Sequence, residues 1–376
     1  MRVVAAGVIY DGHAGPPYGK SCARTTVALL GDGTLLVSFR LGTERESVDG
    51  HPVVFASTDG GASWVQRYSG YGQGTLHETP GQVMALAITE TSSSVLMGTC
   101  LWVDHSDPAL PFLNSQTQGL LPEKILHVKS HDGGHTWSPP RVMETTPHVA
   151  TSPCTMPVLP LADGRLAQSY ETWKTYHDTS ALCPQAFLRF SVDGGETWPE
   201  WAEVTGHTEN ALYFWDQRLA IHPRTGEIVR MCWTHDPRAG IERDVHIAWG
   251  TRDGRKWTVP VGTGLPGQHC QPIAIDGDRL VAVYARRHDP AGIVASSSRD
   301  FGRTWDRADD LVVFNSKEGV EPGATGQRDT AEKWGDMVRY RFGHPRGVLL
   351  PSGEIFAVWY AGDDAAKRVQ WGRIAL

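Results

Sequence analysis

Ser57-Thr58-Asp59-Gly60-Gly61-Ala62-Ser63-Trp64 is an octet that recurs along the chain. It returns as Ser130-His131-Asp132-Gly133-Gly134-His135-Thr136-Trp137, as Ser191-Val192-Asp193-Gly194-Gly195-Glu196-Thr197-Trp198, and as Ser298-Arg299-Asp300-Phe301-Gly302-Arg303-Thr304-Trp305. A copy one residue short, Thr251-Arg252-Asp253-Gly254-Arg255-Lys256-Trp257, lies between the last two. Its chemistry is local. The Asp accepts bonds from nearby backbone N–H groups, the Gly supplies positive φ, and the Trp packs under the turn. A strand-like run precedes each copy: Val53–Ala56, Ile125–Lys129, Phe187–Phe190, Val245–Gly250 and Gly292–Ser296. A second kind of turn alternates with the octets. It reads Gly31-Asp32-Gly33, Ala162-Asp163-Gly164, Thr225-Gly226, Asp276-Gly277 and Pro351-Ser352-Gly353, with a weaker copy at Thr91–Ser94. Helical periodicity is nearly absent. Repeating units of about 50–70 residues, each able to supply four strands, predict an all-β fold: a six-bladed propeller of four-stranded antiparallel blades. The last unit, about 343–376, lacks an octet, and Met1–Tyr10 is a spare apolar strand. The expectation is one domain over 1–376, its ring closed by the N-terminal strand. The Pro-rich insertion Trp102–Glu123 is expected to loop over one face.

Composition narrows the function. The formal net charge of −7 over 376 residues argues against nucleic-acid binding and against a polybasic membrane contact. No apolar run reaches the roughly 18 residues of a spanning helix. The first ten residues are too short for a signal peptide, so a cytoplasmic location is expected. Six cysteines lie scattered without a CxxC pair and read mostly as buried thiols. No HExxH-type spacing points to a metal, and no cofactor is expected. The oligomeric state is left open.

The octet resembles the Asp-box, and repeated Asp-boxes (BNR repeats) on a six-bladed propeller resemble the sialidase superfamily over nearly the whole chain. That resemblance implies an Arg triad for a substrate carboxylate, a Tyr nucleophile with a Glu partner, and an Asp acid/base. Carried over position by position, Arg24 matches the first triad Arg, nine residues before Gly33, and Arg40 follows the second strand. Asp49 matches the acid/base, and His51 fits the same loop. Asp216 stands in for the Glu partner. Trp233 or His235 falls where the second Arg is implied, and Arg286 lies near the place of the third. Counting nine residues back from Gly353 finds His344, where the resemblance implies the Tyr.

The residues support a carbohydrate site without the family. The inner-strand starts and the loops after the second strands ring one mouth of a propeller. They carry Arg24, Asp216, His269, Gln271, His344 and Arg346, then Arg40, Glu44–Asp49, Glu171, Trp173, His235 and Arg286. Arg forks suit a carboxylate, Trp faces suit sugar rings, and His and carboxylate groups suit acid–base cleavage. The first reading is a glycoside hydrolase, with Asp49, His51, Asp216 and His344 as catalytic candidates. Arg24, Arg40, Glu171, Trp173, His235, His269, Gln271, Arg286 and Arg346 would bind substrate, an oligosaccharide or glycoconjugate. The second is a lyase that eliminates across a uronic acid with His and Arg groups. The third is a propeller that binds glycans without catalysis.

Overall fold

The octets fold alike. In the second, Ser130 Oγ donates to Asp132 Oδ1 at 2.8 Å, the Gly134 N–H donates to Ser130 Oγ at 2.9 Å, and the Thr136 N–H donates to Asp132 Oδ1 at 2.9 Å. The same ladder forms on Asp59, Asp193 and Asp300. Gly134, with φ of 91°, takes a conformation closed to most side chains. In the fourth octet Phe301 takes the left-handed position where its sister turns have Gly. The box Trp then reaches the preceding blade: Trp198 packs on His127 at 4.7 Å, and Trp64 on Phe356 at 6.0 Å.

The computed structural model describes every residue other than 72, 93, 153–155, 206–211, 318 and 322, and the side chains of all those but 73 and 75. Its strands form six antiparallel sheets. The first blade holds Ser21–Leu29, Leu35–Gly42, His51–Ser57 and Val65–Ser69, from the axis outward. The inner strands of the other blades are Thr79–Ser92, the pair Thr151–Ser152 and Leu159–Pro160, Tyr213–Ile221, Gln268–Ala274, and Phe342–Leu349. Arg2–Asp11 pairs antiparallel with Lys367–Ala375 and supplies the outer strand of the last blade. The architecture is thus the β-propeller expected, with the ends of the chain joined in one sheet.

Six apolar clusters each fill the gap between two neighbouring blades. The cluster between the second and third blades includes Trp198, which is 7% exposed. Trp198→Ala is expected to cost about 3–5 kcal/mol by opening a cavity there. Thermal unfolding would show a lower Tm, while kcat and KM measured well below the transition stay within twofold of the parent.

One element departs from the expected pattern. Thr330–Val338 is an α-helix with a capping box: Asp329 accepts from the Glu332 N–H, and Glu332 accepts from the Asp329 N–H. Lys333 is buried and sits 3.1 Å from Glu242 of the fourth blade, which fixes the helix over the mouth. Of the cysteines, Cys22, Cys100, Cys232 and Cys270 are buried free thiols and Cys183 is an exposed one. Cys154 lies outside the described residues.

Candidate active site

Four inner strands are built with the same irregularity. Pairing with the second strand skips between Ala23 and Thr26, Trp215 and Arg218, Gln268 and Gln271, and Gly343 and Arg346. The first residue of each bulge has positive φ: Arg24 at 55°, Asp216 at 52°, His269 at 44° and His344 at 48°. Bulges re-aim side chains, and a non-glycine residue held in this region stores strain that the surrounding structure must hold. All four of these residues line one pocket at the propeller mouth.

The bulges free backbone donors, and site side chains satisfy them. The Arg24 N–H donates to His344 Nδ1 at 2.7 Å, and the Gln217 N–H donates to Glu171 Oε1 at 2.9 Å. A backbone N–H can only donate, so Nδ1 of His344 is an acceptor and its neutral ring carries the proton on Nε2. Asp216 pairs with Arg218 at 2.7 Å and lies 3.4 Å from His269 Nε2. Nδ1 of His269 is buried and has no hydrogen-bond partner among the described residues. The two imidazoles meet edge to face with centroids 4.5 Å apart.

Charge surrounds these rings. His269 is held well below the ordinary histidine range, first by burial and then by the Arg287, Arg218, Arg45 and Arg346 guanidinium groups. His344 is depressed likewise by burial, His269, Arg45 and Arg24. Burial pushes the Asp216 carboxyl up, against the pull of Arg218, Arg346 and Arg24. Across the floor, Arg24 Nη2 meets Glu46 at 3.1 Å and Arg45 Nε meets it at 3.2 Å. Burial pushes Glu46 up, but Arg24, Arg45 and Arg40 together carry it below its ordinary value.

Aromatic rings form the wall. Phe112 of the 105–122 insertion lies 5.4 Å from Trp334 of the helix. Trp334 lies 6.3 Å from Trp173, which stacks on Trp215 at 5.6 Å and 17°. Trp215 meets Trp233 at 5.3 Å, and Trp233 meets His269 at 5.0 Å. The Trp173 indole N–H donates to the Gln118 carbonyl at 2.8 Å and ties the insertion down.

Of the residues expected to act, the pocket brings together Arg24, Glu171, Trp173, Asp216, His269 and His344. The others lie outside its lining. Arg40 is fully buried; its guanidinium holds the 43–50 loop through the Glu44 carbonyl at 2.9 Å and the Ser47 carbonyl, and burial pulls it down to about 10. Asp49 accepts from Thr43 within that loop, and His51 packs near Tyr18. His235 stacks on Trp215 and pairs with Glu242 at 2.9 Å behind the aromatic wall. Arg346 donates to Gln271 Oε1 at 2.7 Å, and Arg286 Nε donates to the Pro290 carbonyl at 2.6 Å. Phe112, Glu123, Trp334 and Met337 line the pocket without having been expected there. The Asp329 to Glu332 capping box was a readable signal for the helix; no short pattern marks Glu123.

No family model and no curated protein sequence matches the chain. Solved structures do. A Dyadobacter fermentans protein of unknown function superposes with a TM-score of 0.73 at 17% identity, over 100% of this chain and 99% of that one. A Hadza microbial sialidase matches with a TM-score of 0.64 at 16% identity, over 99% of this chain and 68% of the other. An intramolecular trans-sialidase from Ruminococcus gnavus matches with a TM-score of 0.64 at 12% identity, over 100% and 98%. At these identities the likeness concerns the fold. The chain has a sialidase-like six-bladed propeller, with a pocket at its mouth assembled from bulged inner strands.

Proposed function

We propose that this chain is a carbohydrate-active enzyme that cleaves the glycosidic bond of a terminal sugar bearing a carboxylate. The observation that carries this reading is the floor of the pocket. There Arg24 and Arg45 stand beside the neutral imidazoles of His269 and His344, under a wall of tryptophans. Guanidinium forks suit a carboxylate, and indole faces suit a sugar ring. The position at which a sialidase would carry Tyr holds His344, whose Nδ1 already accepts from Arg24. A covalent tyrosyl route therefore has no candidate among the lining residues, whereas acid–base cleavage does. His269, backed by Asp216, is the base that activates water. The unpaired Nδ1 of His269 equally favours a second reading, in which it removes the C5 proton of a uronic acid and the glycosidic oxygen leaves by elimination.

The test is a panel of sialosides, uronate-capped oligosaccharides and oligosaccharides whose uronate is glycosylated at O4, followed by near-ultraviolet absorbance and by released reducing sugar. Reducing ends without absorbance support hydrolysis. Growing absorbance supports elimination, because the product gains a C4–C5 double bond. Silence in both channels across the panel would sink the enzymatic reading.

A pH dependence follows. Arg45, which depresses both His269 and His344, and Arg24, which depresses His344, line the pocket and are the cations a substrate carboxylate would neutralise, so binding raises the imidazoles. A base must be deprotonated, so activity falls as pH drops through its pKa. The kcat/KM profile reports the free enzyme and the kcat profile the complex. The acidic limb of kcat is therefore expected at higher pH than that of kcat/KM. Identical limbs would remove His269 from the role of base.

A further inference from the structure

Glu123 begins the third strand of the second blade, in register opposite Val103. The residue is 6% exposed and lines the pocket, and its Oε2 is buried with no hydrogen-bond partner among the described residues. The same pocket is lined by Arg24 from the first blade, Arg45 and Glu46 from the 43–50 loop, and Glu171 from the third blade, and the charges of Arg24 and Glu46 act on Glu123. A buried ionised carboxylate without a donor is far costlier than the neutral carboxylic acid. Neighbouring Glu46 already draws on Arg24 and Arg45.

We propose that Glu123 is the proton donor to the leaving glycosidic oxygen. The inference rests on the glycosidic-cleavage reading above and serves both of its forms, since hydrolysis and elimination each need that proton. The C–O bond breaks with its electron pair on oxygen, and oxygen takes the proton from Glu123. In hydrolysis, water supplies the new C–O bond and gives a proton to His269. In elimination, His269 takes the C5 proton and that electron pair forms the C4–C5 double bond. His269 then gives its proton to solvent and Glu123 is reprotonated from solvent, which restores both groups. Two carboxyl groups in one site are driven apart: the arginines hold Glu46 low, while burial, with the Glu46 charge beside it, lifts Glu123 to about 8 against Arg24. Such a split marks an acid beside a permanent anion.

The experiment pairs two substrates with one variant. Glu123→Gln is expected to lose about a hundred-fold or more in kcat on a sugar or alkyl leaving group, and less than tenfold on a nitrophenyl leaving group, which needs no proton. The basic limb of the wild-type pH profile should vanish with it. Equal losses on both substrates, or no loss on either, would overturn the proposal. Infrared spectra of the substrate-free protein decide it independently of turnover. A protonated-carboxyl stretch at about pH 6.5, absent in Glu123→Gln, is expected. Its absence from wild type at that pH would overturn Glu123 as a proton donor even if glycosides are cleaved. Its presence in a wild type silent on every glycoside would support Glu123 as a proton carrier while the cleavage reading itself fails.

Discussion

Arg24→Ala is expected to lower kcat/KM on a carboxylate-bearing substrate by about a thousand-fold or more, the range for removing one partner of a desolvated charge pair. Arg24 is held in place from both ends. Its backbone sits at φ 55° in the first-blade bulge and donates to His344, while its Nη2 grips Glu46. The side chain is 12% exposed, and Nε is buried without a partner among the described residues. That donor is what an incoming carboxylate would satisfy. Arg24→Lys keeps the charge and loses the fork, so a loss of about a hundred-fold is expected. Truncation also leaves Glu46 with fewer cations, so structure and binding must be separated. Wild type and Arg24→Ala are therefore compared on the acid and on its neutral carboxamide analogue. If Arg24 binds the carboxylate, the variant discriminates between the two far less than wild type does. Equal losses on both substrates would mean that Arg24 only holds the loop.

The propeller was legible because its punctuation is local. Each octet closes on its own Asp, so the turn is readable from eight residues. The closing strand was readable because Met1–Tyr10 had no octet of its own and the last unit was one strand short. The site was legible in part, for the same reason. Counting nine residues back from Gly33 and Gly353 finds Arg24 and His344, because the bulge sits at a set distance from a turn. The bulges themselves were hidden. Arg, Asp and His at positive φ leave no composition signal, unlike Gly. The roles of loop residues were also hidden. Glu46 and Asp49 share the 43–50 loop, yet Glu46 meets Arg24 while Asp49 binds Thr43. Arg40 holds the loop locally through the Glu44 and Ser47 carbonyls, whereas the partner that draws Glu46 inward is Arg24, 22 residues away on the inner strand, which pattern cannot show. The two aromatic contributions from insertions, Phe112 and Trp334, meet only in the fold.

Asp216→Asn should separate binding from catalysis most sharply. The bulge conformation at φ 52° suits Asn as well as Asp, so the backbone is kept. What changes is the proton pattern. Asp216 lies 3.4 Å from His269 Nε2, and a proton drawn to that nitrogen by the carboxylate leaves Nδ1 with a lone pair. An Asn amide can instead present its NH2 group, which moves the imidazole proton to Nδ1 and removes the base. Replacing an orienting carboxylate in this way costs about 10³–10⁴ in kcat where it has been tested in other enzymes. A fall of that size is expected here, with KM changing by less than tenfold because Arg24 and the tryptophans remain. The pair with Arg218 is also lost, and Arg218 is 1% exposed, so a cost of about 3–5 kcal/mol in stability is expected as well. Assays are therefore run well below the variant's Tm. A variant folded at the assay temperature whose kcat matches wild type would show that Asp216 serves Arg218 alone and that His269 draws its orientation from elsewhere. A fall in kcat together with loss of the acidic limb would mean that the carboxylate acts through the imidazole.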